Sequence, residues 1–154
     1  MFRWYGLAFV VFLIDQATKF WISNELSYGS KMEFTSFFEF TRLHNTGAAF
    51  SLLSDAGGWQ RWLFGLIATG VSAILIVWIW RLPKNEKWMA CALALILGGA
   101  VGNLYDRLIL GYVVDFIVVH WENLYFPAFN AADSAISLGA FMMIVDVIKN
   151  PQKA

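Results

Sequence analysis

Two stretches of this chain, residues 62–80 and 88–105, run for nineteen and eighteen residues without a charged side chain. Nothing else in the sequence constrains the fold as strongly. As helices rising 1.5 Å per residue they reach about 27–28 Å, close to the roughly 30 Å hydrocarbon core of a bilayer. Lipid offers no partners to backbone N–H and C=O groups, so apolar runs of this length read as membrane-spanning helices. Composition agrees. Of 154 residues 59% are hydrophobic and 14% charged, with a mean hydropathy of +0.59, whereas an average soluble domain carries about 25% charged residues. Eight Trp and fourteen Phe suit a protein that sets rings at lipid–water boundaries.

Two further spans are present. Between Glu122 and Asp146 only Asp133 is charged, and the largely apolar residues 4–22 carry no charge apart from Asp15 and Lys19. The N-terminal run has no basic leader of any size and no small-residue cleavage site, and Asp15 interrupts it, so it reads as a retained helix rather than a signal peptide. The expectation is a membrane α-helical protein forming one integral-membrane domain over residues 1–154. Its four transmembrane helices lie at about 4–23, 60–80, 87–107 and 130–148. Residues 24–59 form an extracytoplasmic segment. There "MEFTSFFEFTRL" alternates Phe34, Phe38 and Phe40 with Glu33, Thr35, Glu39 and Thr41, a pattern of short strands with one wet face. "SDAGGW" (54–59) marks a turn before the second span.

Four spans place both termini on one side. That side carries Arg3, Arg81, Lys84, Lys87, Lys149 and Lys153 against Glu86 and Asp146, while the other carries five basic residues against nine acids. The basic side is expected to be cytoplasmic. A net charge of zero gives no basic field for nucleic acid. Cys91 stands alone in an apolar run, which leaves no internal disulfide and no cysteine cluster for a metal.

The intramembrane polar groups gather near the outer ends of their spans, whereas chance burial would scatter them. Asp15 and Lys19 share a helix face at i and i+4. Asn103, Asp106 and Arg107 close the third span, Asp115 comes after Gly111 in an outer loop, and Asn130 and Asp133 open the fourth span. On one helix, the eighteen residues from Asp115 to Asp133 would separate them by about 27 Å. Gly111 and Pro127 argue against that helix, and the reversal of the chain lets the two carboxyls approach. A close pair shares a proton, leaving one member to draw a proton from water and the other to protonate a carbonyl under attack.

Simpler accounts exist for each residue. Asp133 suits a helix cap or first-turn dipole partner. Asp106 and Arg107 suit an ion pair or a snorkelling pair, as Asp15 and Lys19 suit an ion pair. "GGAVGN" (98–103) suits close helix packing rather than phosphate binding. His44 and His120 lie too far apart in sequence to suggest a metal site, and no G-x-S-x-G nucleophile signature is present. A small carrier, or a proton or cation relay through Asp15, Asp115 and Asp133, is the alternative function, although a relay should spread its ionisable groups across the bilayer depth.

"DQATK" (15–19), "NTGAAF" (45–50), "GGAVGNLYDR" (98–107), "VVDF" (113–116) and "FNAAD" (129–133) resemble, in order, the motifs of bacterial lipoprotein signal peptidase, or signal peptidase II. Each motif alone is weak, but five in order across the whole chain are specific. The resemblance implies an aspartic endopeptidase of the bacterial inner membrane that needs no cofactor and no metal. It would cut prolipoproteins just before a cysteine bearing diacylglycerol. It also implies Asp115 and Asp133 as the catalytic pair, with Asp15, Lys19, Asn45, Gly47, Asn103, Asp106, Arg107 and Asn130 binding substrate or bracing the site. The implied partners are diacylated prolipoproteins and membrane lipid, the protein being a monomer, and the active site lies near the outer face. The family's small extracytoplasmic β-sheet corresponds to the Phe-rich strands, and its lid-like periplasmic loop to the stretch after Phe116.

Overall fold

The computed structural model describes residues 1–47 and 58–150. The end of "NTGAAF" (48–50), most of the turn signal (54–57) and Lys153 lie outside the described residues. Four helices, α1 (Phe2–Glu25), α2 (Gln60–Arg81), α3 (Lys87–Ile109) and α4 (Ala131–Lys149), are each long and apolar enough to cross a membrane. Their ends obey local chemistry. Leu82 precedes Pro83 and turns extended at ψ 138°, as a pre-proline residue prefers, which stops α2. Gly111, at φ +85°, takes the left-handed turn that carries the chain away from α3.

Helix α3 is the centre of the bundle and packs against α1, α2 and α4. A core of Ala8, Leu75, Ile79, Leu93, Ala94 and Leu97 joins α1, α2 and α3. Small residues let the backbones close. A β-carbon at Gly98 would lie 2.5 Å from the carbonyl oxygen of Ala8, and one at Gly99 would collide with that of Ala132. "GGAVGN" is thus a packing surface, as the sequence suggested. The outward faces are apolar, with Leu66, Ile74, Phe141 and Ile148 well exposed. In water that would be an error; in lipid it is the favourable arrangement.

Strands β1 (Lys31–Thr35), β2 (Phe38–Asn45), β3 (Val113–Trp121) and β4 (Leu124–Tyr125) form one antiparallel sheet in that order. Three expectations are corrected here. The sheet extends beyond the Phe-rich strands, because residues 113–125 supply its other half. Asp115 sits on β3, opposite Leu43, rather than in a loop. The polar side of β2 is not its wet side: Glu39 and Thr41 are 3% and 5% exposed. The cause is curvature. Lys31 on β1 lies 5.4 Å from the ring of Tyr125 on β4, at the opposite edge of the sheet, so the sheet curls and encloses those polar residues.

The end of the bundle that bears the sheet is formed by the C-terminal parts of α1 and α3 and the N-terminus of α4. Both described ends of the chain lie at the opposite end of the bundle, where Phe2 meets Trp80 and Asn150 lines a cavity with Leu82.

Candidate active site

The site begins with an ion pair within one helix. On α1, one turn separates Asp15 from Lys19, and Lys19 Nζ lies 2.8 Å from Asp15 Oδ2. Both are buried, at 0% and 3% exposure. Lys19 Nζ also reaches Asp106 Oδ2 at 2.9 Å and donates to Asn103 Oδ1 at 2.9 Å. One ammonium therefore ties α1 to two residues of α3, and all three of its N–H donors have partners. The approach depends on Gly102, where a β-carbon would lie 2.5 Å from Asp15 Oδ2. The other oxygen of Asp15 accepts from the backbone N–H of Ala132 at 2.9 Å and so fixes the start of α4.

This differs from the expectation for Asp106. Consecutive helical residues point about 100° apart, so Asp106 turns inward to Lys19 rather than pairing with Arg107. Its carboxylate also accepts from Gln16 Nε2 at 2.9 Å and from the N–H of Val114 at 3.2 Å. Arg107 instead donates to the carbonyl oxygens of Asn103 at 3.2 Å and Gly47 at 3.1 Å, with its guanidinium 5.6 Å from the ring of Phe64.

Two carboxyl groups stand on this foundation. Asn130 caps α4: its side chain accepts from the N–H of Asp133 at 2.9 Å, and its own N–H donates to Asp133 Oδ2 at 3.2 Å. This reciprocal pair is a capping box. The cap account of Asp133 thus holds in part, with Asn130 as the cap and Asp133 three residues on. The other carboxylate oxygen of Asp133 accepts from Asn103 Nδ2 at 2.8 Å. Asn130 Nδ2 meanwhile donates to Asp115 Oδ1 at 2.7 Å, and Asn45 Nδ2 donates to Asp115 Oδ2 at 2.9 Å. Asn130 therefore bonds to both carboxyl groups at once. Asn45 is held in turn, its Oδ1 accepting from the N–H of Gly47 at 3.0 Å.

Asp115 and Asp133 line the same cavity of about 470 Å³, together with Asn45, Asn103 and Arg107. Its remaining wall is largely apolar, formed by Val113, Ile136 and residues 126–129, with Ser134 and Ser137 on α4. Burial, then the neighbouring charge of Asp133, pushes the Asp115 carboxyl up to about 7, and the bonds from Asn45 and Asn130 oppose that rise. Asp115 therefore holds a proton well above the ordinary carboxylate range.

Every site residue expected from the sequence lies in this network or on its edge. Asp115, Asp133, Asn45, Asn103 and Arg107 face the cavity, Asn130 joins the two carboxyls, Asp15, Lys19 and Asp106 lie beneath, and Gly47 anchors Arg107. Sequence reasoning missed Gln16, although it stands inside the "DQATK" motif. It also missed the wall at 126–129, where Pro127 reads only as a helix breaker. Among the described residues no group of three or more His, Cys, Asp or Glu is placed to hold a metal ion.

Known proteins resemble this chain along nearly its whole length. A protein from Cellvibrio japonicus described as a lipoprotein signal peptidase is 59% identical over 150 residues, covering 97% of this chain and 88% of its own. One of the same description from Pseudomonas putida is 58% identical over 149 residues, covering 96% and 87%. A solved bacterial membrane enzyme, determined in meso at 2.3 Å resolution, superposes with a TM-score of 0.88 at 29% identity, covering 99% of this chain and 92% of that one. A second, at 1.9 Å, gives 0.84 at 30% identity, with 97% and 95% covered. The family profile described as Signal peptidase (SPase) II matches residues 7–149, and the chain belongs to that family of bacterial membrane proteases.

Proposed function

We propose that Asp115 and Asp133 are the catalytic pair of this signal peptidase. We also propose that the protein cuts prolipoproteins in front of a diacylglyceryl-bearing cysteine, at the outer boundary of the cytoplasmic membrane. The observation that carries this reading is the bridge through Asn130, which holds two carboxyl groups on different elements against one cavity. With one proton shared between them, the carboxylate removes a proton from water and the water oxygen attacks the scissile carbonyl carbon. The partner acid gives its proton to the carbonyl oxygen. Collapse of the tetrahedral gem-diol breaks the C–N bond: the proton taken from water passes to the leaving amine, and one hydroxyl proton returns to the partner carboxylate, which restores the shared proton. Arg107, Asn45 and Asn103 bring donors to the cavity for backbone carbonyls of a substrate helix unwound at the cut, which lipid cannot satisfy. The apolar wall suits the lipidated residue, and a site at one end of the bundle lets the signal helix and its acyl chains remain in the bilayer. The monomer is sufficient for this reading, because both carboxyls come from one chain.

The test is purified protein in detergent, given a diacylated and an unmodified prolipoprotein and scored by gel shift. Cleavage of the diacylated substrate alone is expected. Equal cleavage of both would overturn the lipid requirement, and cleavage of neither would overturn the activity.

A further inference from the structure

The polar residues enclosed by the curled sheet have no role in the chemistry above, yet they are closely paired. Glu39 is a buried carboxylate on β2. Its Oε1 lies 2.8 Å from Lys31 Nζ and accepts from Thr41 Oγ1 at 3.0 Å. That geometry fixes the Lys31 head, which lies 5.4 Å from the Tyr125 ring centroid, within cation–π range. The same ring also stacks on His120, with centroids 4.8 Å apart and planes 20° from parallel. Tyr125 belongs to β4, a strand of only two residues. A strand that short is held weakly by its ladder alone.

The segment directly after Tyr125 matters to the site. Residues 126–129 form one wall of the cavity that holds Asp115 and Asp133. The N–H of Phe126 donates to the carbonyl oxygen of Val119 at 2.9 Å, and the N–H of Phe129 to that of Ile117 at 3.1 Å. Those two bonds keep the wall against β3, and the side chain immediately before the wall is the one clasped by Lys31 and His120.

We infer that Lys31, Glu39 and Tyr125 are positioning residues, a clasp across the curled sheet that sets the 126–129 wall and hence substrate binding by the cavity. This rests on the cavity being the protease site proposed above. The clasp touches neither carboxyl of the pair, so loosening it should weaken binding and leave the chemical step intact.

The experiment is Tyr125→Leu, which removes an exposed ring and leaves the Lys31–Glu39 pair in place, alongside Tyr125→Phe, Lys31→Met and Lys31→Arg. Two readouts are taken in detergent: amide hydrogen exchange at Phe126 and Phe129, and KM and kcat on a diacylated prolipoprotein. Tyr125→Leu and Lys31→Met should each speed exchange at those two amides at least fivefold, leave the amides of α3 unchanged, and raise KM several-fold with kcat within twofold. Tyr125→Phe and Lys31→Arg, which keep the ring and the charge, should behave as wild type. The double variant Lys31→Met/Tyr125→Leu should fall short of the sum of the two singles, since both break the Lys31–Tyr125 contact. Unchanged exchange at Phe126 and Phe129 in Tyr125→Leu would overturn the clasp, as would a fall in kcat at constant KM or additive effects in the double variant. A wild type that cuts no prolipoprotein would count against the activity alone, because the exchange measurement still decides whether the clasp holds the wall.

Discussion

Asp115 and Asp133 each accept hydrogen bonds from Asn side chains, so an isosteric amide preserves volume while removing the titrating proton. Asp115→Asn and Asp133→Asn should each reduce cleavage below a few per cent of wild type while melting in detergent stays close to it. More activity than that in either variant would remove its residue from the pair. Asp115 also predicts a pH effect. Its carboxyl is raised from 3.8 to about 7, so between those values the folded chain keeps a proton that the unfolded chain has released. Stability from this group is therefore fully present below about pH 4 and is lost as the pH rises through about 7. The melting temperature of wild type should fall across that window, and Asp115→Asn should flatten the slope. Activity should decline on the alkaline side of about pH 7, as the shared proton leaves. A wild-type melting temperature independent of pH over this range would refute the assignment. Arg107 makes a third case. Its donors go to two backbone carbonyls rather than to Asp106, so Arg107→Ala deprives the segment at Gly47 of its tie to α3. A hydrogen bond to a charged group contributes about 1.5–3 kcal/mol. The alanine variant should lose thermostability on that scale together with activity, and Arg107→Lys, lacking the planar fork, should lie between it and wild type. If melting holds while KM rises, the substrate contact proposed for Arg107 outweighs its tie to Gly47.

Among elements, α3 carries the greatest burden, because it packs extensively on all three other helices. Its C-terminal turns offer Gly102, Asn103 and Asp106 to Lys19 and Asp15 on α1. Lys19→Met would leave two buried carboxylates without their counter-charge, and removing one partner of a buried pair costs about 3–5 kcal/mol. Gly102→Ala should be as damaging for a different reason, since its methyl group would occupy the space of Asp15 Oδ2 and force α1 and α3 apart. Both variants are expected to melt earlier in detergent than Asp115→Asn or Asp133→Asn. Melting equal to wild type in Gly102→Ala would show that the helices separate without cost. The sheet is a contrasting element, with Glu39 inside its curl and its partner Lys31 half-exposed at the edge. The Lys31 ammonium beside Glu39 holds that carboxyl below the usual range, and acid should therefore loosen the curl.

For the whole molecule, the charged groups of the site are gathered at the end bearing the sheet, while both described chain ends lie at the other. The excess of basic residues around the termini supports cytoplasmic termini and a carboxyl pair at the outer face. Cysteines introduced near residue 3 and in β1, in a chain with Cys91 replaced, should be protected and labelled respectively by an impermeant reagent on intact cells. Labelling at residue 3 would invert the orientation and put the pair on the wrong side for an exported substrate.

The spans and the polar motifs were legible in the sequence because lipid imposes a rule readable along the chain. A run of eighteen or more uncharged residues has few other fates, and a carboxylate near one is expensive enough to need a reason. The pair Asp15–Lys19 was legible for a similar reason, being one helical turn apart. Partners from different elements were not. Adjacency suggested that Asp106 met Arg107, but helical geometry sends neighbours in different directions, and the packing of α1 on α3 gave Asp106 to Lys19. Asp115 read as a loop residue because "VVDFIVVHW" lacks the alternation of a half-exposed strand; it lies largely buried between neighbours, where both faces tolerate apolar side chains. Alternation in β2 was legible, but which face is dry was not, since that depends on a curl that only the contact between the first and last strands reveals. Local periodicity and the cost of charge in lipid act within a segment, and so the sequence by itself determined the helices and the residue types of the site. Which carboxyl meets which amide depends on helix packing and sheet curvature, and that the tertiary structure alone decided.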